Sequence, residues 1–236
     1  MHHSAFRIFL WGFLSISTVT FAQQSIHRFI YFPAPIENRW RTSLGLTFMT
    51  TPKAITEEVH TRIPAGDLHF AKTRGKNITV DIHLRFQGVQ NELSLGYKWL
   101  FKADEHFSFS AGNDFAGWVG WLKIEGFDTR GLGLLLYPNL SMGYKTDKDL
   151  WFSLKAELLL NIYQKIYAGD NYVEKRPEPY TGQALTFMVE QPLFKKRYVA
   201  LGFRALYTNF YWQTWTLFET FDRNIFYPEI IMEFIL

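Results

Sequence analysis

The 236-residue chain contains no cysteine. That excludes disulfides, thiolate metal sites, a cysteine nucleophile and a lipid anchor carried on cysteine. Long hydrophobic runs are missing as well. Beyond the first 22 residues the best apolar stretches are 131–136 and 158–160, with Lys155 and Glu157 beside the second. Neither approaches the ~20 residues of a spanning helix, where mid-bilayer charge is costly. Blocks of one charge sign are absent too: 25 Lys and Arg stand against 22 Asp and Glu, a net charge of +3. Without a clustered basic face, no nucleic-acid partner is expected. No Ser/Gly/Pro-rich linker and no repeat longer than a hairpin divides the sequence, so one main domain is expected. His27, His60, His69, His83 and His106 are scattered without an HExxH-type spacing; no metal site and no cofactor is expected.

What is present is aromatic. Phe, Tyr and Trp make up 18% of the chain, yet its mean hydropathy is slightly below zero. A transmembrane β-barrel reconciles the two, because lipid-facing apolar residues alternate with polar residues facing inward. The first residues read as an address. Arg7 with His2 and His3 precedes a short apolar run, Ile8 to Ile16, and small residues lead to Ala22 and Gln23. This layout is that of a secretory signal peptide. The expected organisation is a signal peptide over 1–22, an N-terminal periplasmic segment over 23–39 and a barrel over 40–236.

Through that last span the hydrophobic period is two, the mark of strands rather than helices. Ile78, Val80, Ile82, Leu84 and Phe86 alternate with Thr79, Asp81, His83 and Arg85. Leu93, Leu95, Tyr97, Trp99 and Phe101 oppose Ser94, Gly96 and Lys98. The same logic covers 132–144, 150–162, 181–191, 199–207 and 226–236, and Trp40 to Met49 reads as a first strand. Two stretches are ambiguous. In 106–126 the phase shifts near Gly112 to Gly120, which reads as one bulged strand or two. The stretch 57–72 reads as a further strand or as part of a long loop. The fold expected is all-β, an antiparallel up-and-down transmembrane barrel of about ten strands, with eight or twelve as alternatives.

A soluble barrel also alternates. Here, however, the apolar faces are long and end in aromatic residues (Trp99, Phe101, Tyr144, Tyr207, Tyr211), like the aromatic girdles at membrane interfaces. The chain therefore resembles bacterial outer-membrane β-barrel proteins as a broad class. That class ends in an amphipathic strand read by the barrel-assembly machinery, usually with an aromatic last residue. Residues 229–236 alternate, but they end in Leu236 with Phe234 as the aromatic. The resemblance implies an outer membrane of a Gram-negative bacterium, with its lipids and the assembly machinery as partners.

If the apolar faces meet lipid, then Asp81, His83, Arg85, Lys98, Lys155, Glu157, Glu190, Arg204, Glu229 and Glu233 point inward. A mixed set in a narrow barrel is expected to pair internally and fill the lumen. The function expected is non-enzymatic: an envelope structural or surface-binding barrel, with a narrow channel for small solutes as the alternative. One run suggests chemistry. His106 and Ser108 lie two apart, so on a strand they share a face. Their spacing is similar to the His and Ser of outer-membrane lipid A deacylases, whose motif stands near the C-terminus; Asp114 and Glu125 are the nearest acids. The charged loop 164–180 and the aromatic region 211–223 are expected outside the cell as candidate ligand-binding loops.

Overall fold

The computed structural model describes residues 29–36, 39–53, 62–102, 104–124, 127–173, 178–194, 197–211 and 223–236. The expected signal peptide, Glu125 and the aromatic residues Trp212, Trp215, Phe218 and Phe221 lie outside the described residues. Eleven strands run in chain order: β1 (Arg41–Thr50), β2 (Arg62–Arg74), β3 (Ile78–Phe86), β4 (Gln90–Lys102), β5 (Phe107–Ile124), β6 (Phe127–Lys145), β7 (Trp151–Ala168), β8 (Asn171–Val173), β9 (Tyr180–Phe194), β10 (Arg197–Thr208) and β11 (Ile225–Ile235). All pair antiparallel with their neighbours, and β1 pairs with β11 to close the sheet. β8 is a three-residue return that pairs with β7 alone, while β9 takes the place beside β7 in the wall. The result is a closed ten-stranded up-and-down barrel. Closure leaves the wall no free edge, which a membrane-spanning sheet requires.

Both barrel ends meet on one side, where the Leu236 N–H donates to the Thr42 carbonyl at 2.8 Å. The connections at that end are tight, as at 75–77, where Gly75 takes a φ of 65°. At the other end β5, β6 and β7 run on past their neighbours and carry β8 with them.

Alternation sets which residues line each surface. Leu44, Leu95, Phe115, Leu134, Leu140, Phe187, Phe203 and Ile230 all stand exposed on the outer surface. Leu140 is the extreme at 64%. Buried polar residues alternate with outward apolar ones along the strands, among them Ser94, Asp114, Ser141, Thr186, Glu229 and Glu233. Folding in water would hide the first set and expose the second. This surface is inverted, as lipid outside and a packed polar interior demand.

Three expectations change. The apparent phase break in 106–126 does not exist: β5 is one strand whose pairing to β4 and β6 shows no register shift. Trp118 created the impression, because this apolar residue faces inward and is 2% exposed. Its indole occupies a slot opened by Gly133, where a Cβ would stand 2.6 Å from Nε1. Much of 164–180 is hairpin rather than loop, formed by the end of β7 and by β8. Tyr211, assigned above to an outer girdle, is buried instead and receives a hydrogen bond from Arg85 Nη1 at 3.1 Å.

Candidate functional site: the filled bore

The bore is occupied at three levels. At the end holding both barrel termini, residues 29–36 enter and pack under the wall. The backbone N–H groups of Ile30, Tyr31 and Phe32 donate to the Glu190 carboxylate at 2.6, 3.1 and 2.8 Å. Glu233 accepts the hydroxyls of Tyr31 and Ser43, and the Ile36 N–H donates to Thr73 Oγ1 at 2.7 Å. Phe29 and Phe32 lie against Trp151, with ring centroids 4.8 and 4.7 Å away. Gly143 leaves room for this packing: a Cβ there would stand 2.5 Å from the Phe32 ring and 2.6 Å from Pro33. The segment expected to be periplasmic thus has its described part inside the barrel mouth.

Above it lies a belt of ion pairs contributed by seven strands. Asp67 meets His83 Nε2 at 3.0 Å and Arg85 Nε at 3.5 Å. Arg85 reaches Glu229 at 3.5 Å, and Arg204 bridges Glu229 and Glu157 at 3.4 and 3.3 Å. Lys155 joins Glu157 at 2.7 Å to Asp114 at 2.8 Å, and Asn139 donates to Asp114 at 3.1 Å. Beside this chain, Asp81 takes Lys98 at 2.6 Å and His69 at 3.2 Å. Charges removed from water persist when each has partners of opposite sign at hydrogen-bonding range.

The third level is apolar and aromatic. Trp118 meets Phe210 edge to face at 5.3 Å, with Leu206, Tyr227 and Ile225 in the same cluster. Its lower edge touches the belt through Tyr211, the acceptor for Arg85.

The ten residues read as an inward polar set fall into two groups in the structure. Eight of them join the belt, while Glu190 and Glu233 instead hold the N-terminal segment. Asp67, His69 and Asp114 are belt members that the sequence reading did not assign to the lumen. The first two lie in the stretch left open between strand and loop; their alternation with Leu68 and Phe70 carries the signal.

His106 and Ser108 are not brought together. Ser108 is buried on the inward face of β5, whereas His106 sits in the preceding turn and directs Nδ1 to the Lys145 carbonyl at 2.9 Å. Asp114 is committed to Lys155 and Asn139. Among the described residues no group of His, Asp and Glu is arranged to hold a metal ion. A hollow of about 870 Å³ is lined chiefly by outward-facing side chains, where Ala111, Ala156 and Ala205 alternate with Trp99, Leu140 and Leu185 across the strands. It lies on the lipid side rather than in the bore.

This closed, inverted, antiparallel barrel has the architecture of bacterial outer-membrane β-barrels. No protein-family model and no curated protein matches the sequence. Among solved structures, the CymD monoaromatic hydrocarbon channel is similar at 9% identity and a TM-score of 0.37, over 73% of this chain and 60% of that one. The chain therefore spans less than two thirds of that protein's length. The translocator domain of the autotransporter NalP from Neisseria meningitidis is similar at 11% identity and a TM-score of 0.43, over 83% and 86% of the two chains. The membrane-spanning class follows from this chain's own inverted surface.

Proposed function

We propose that this protein is a closed outer-membrane barrel of a Gram-negative bacterium, serving the envelope through its surfaces rather than through a pore or a reaction. The observation that carries this reading is the filling of the bore at three successive levels. In the same reading residues 1–22 are a signal peptide cleaved after Ala22, and β11 is the strand presented to the barrel-assembly machinery. The extended hairpin of β7 and β8 would stand on the exterior side, where a ligand would bind. The lipid-modifying alternative draws no support from His106, whose Nδ1 is engaged by the Lys145 carbonyl.

A second reading, a narrow channel, has one observation in its favour. Residues 29–36 form a distinct piece held largely by two carboxylates, so their withdrawal would clear the lower level of the bore. Single-channel recording in planar bilayers separates the two. The closed reading predicts a flat trace from folded, inserted protein at moderate voltage; discrete, reproducible steps would establish the channel.

A further inference from the structure

Where β5, β6, β7 and β8 outrun the rest of the wall, their outward side chains form a cross-strand row: Trp121 opposite Arg130, Arg130 opposite Tyr167, Tyr167 opposite Tyr172. Trp121 and Tyr172 are 54% and 52% exposed. The Arg130 guanidinium stands 5.0 Å from the Tyr167 ring, and the two tyrosine rings are 5.7 Å apart. One row nearer the membrane, Val119 faces Leu132 and Leu132 faces Lys165, which makes Lys165 a diagonal neighbour of Arg130. The row beyond is different in kind, because Lys123 is answered by Asp128 at 3.5 Å.

Position decides what this face meets. From Tyr144 at the other end of β6 to Arg130 the strand climbs about 35 Å along the barrel axis, at roughly 3.3 Å per residue and a tilt near 40°. The apolar band of such barrels is ~25 Å tall. Arg130 and Lys165 thus stand where lipid headgroups begin, on a face that points sideways and continues without a break into the lipid-facing wall. Tyr and Trp favour this depth. A guanidinium offers paired donors matched to phosphate oxygens, and an ammonium adds a point charge.

We infer that this face binds the phosphate-bearing headgroup of an outer-leaflet lipid, with Arg130 and Lys165 on the phosphate and the aromatic row supporting Arg130. The inference rests on the membrane reading above. It is tested on the full mature chain folded in detergent micelles doped with equal phosphatidylglycerol and phosphatidylcholine, with retained lipids counted by native mass spectrometry. Wild-type protein should retain the anionic lipid about tenfold over the zwitterionic one. Arg130→Gln with Lys165→Gln should abolish the preference, Arg130→Lys with Lys165→Arg should keep most of it, and Lys148→Gln at the opposite end should leave it unchanged. Equal retention by the wild type, or an undiminished preference in the double glutamine variant, overturns the site. Failure to form a heat-modifiable, bilayer-inserted barrel would instead strike the membrane reading, so the two failures are distinguishable.

Discussion

Replacing Arg204 with methionine should lower the unfolding free energy by on the order of 3 kcal/mol, the cost of leaving buried charge without its partner. Arg204 stands between Glu157 and Glu229 at 3.3 and 3.4 Å and is the only cation among the described residues that touches both. The methionine variant retains the bulk of the side chain and removes the charge. Glu157 would keep Lys155 and Glu229 would keep Arg85, so the barrel still forms while the belt is cut at its middle. Urea unfolding in bilayers, followed by tryptophan fluorescence, reads the change as a lower midpoint. Adding Glu229→Gln to the variant should recover part of the loss, because a carboxylate left with one cation in place of two goes with it. A midpoint that does not move would mean that water, not protein, surrounds these charges.

The second large effect concerns residues 29–36. Glu190 is fully buried and accepts three consecutive backbone N–H groups. In Glu190→Ala those donors lose their acceptor, at about 1–3 kcal/mol for each one left buried. The less costly outcome is for the segment to leave the bore and hydrate. Proteolysis tracks the population of such an open state, so cleavage between Phe29 and Ile36 should accelerate roughly a hundredfold while the barrel survives. Gly143→Leu approaches the same result by a steric route, since its side chain must occupy the place of Phe32 and Pro33. Wild-type resistance to protease in both variants would show that the segment is held by other contacts.

Much of this architecture could be read from the alternation itself. Wherever one parity was apolar and the other polar, as in Ile78 to Phe86, both the strand and its inward face followed from the sequence. The reading faltered where size and polarity stop tracking orientation. Trp118 is apolar yet faces inward, and the glycines and alanines of β5 mark neither face, so a continuous strand looked broken. Asp67 and His69 were missed because Pro64, Gly66 and Ala65 give the start of β2 a loop-like composition.

The N-terminal plug was illegible for another reason. Its affinity for Glu190 is made by backbone N–H groups, which every residue but proline possesses. Which carboxylate is opposite them depends on register around the whole barrel. The belt pairings are non-local in the same way: Arg85 and Glu229 meet only because β1 closes onto β11.

The central claim is that lipid touches the alternate apolar side chains, and the absence of native cysteine makes it directly measurable. Single substitutions Leu140→Cys, Ser141→Cys, Met142→Cys and Gly143→Cys, each labelled with a small environment-sensitive fluorophore, sample successive positions along β6 in bilayers containing brominated lipid. Strong quenching at 140 and 142, with little at 141 and 143, is the predicted result. Uniform quenching at all four positions, or quenching confined to 141 and 143, would contradict it.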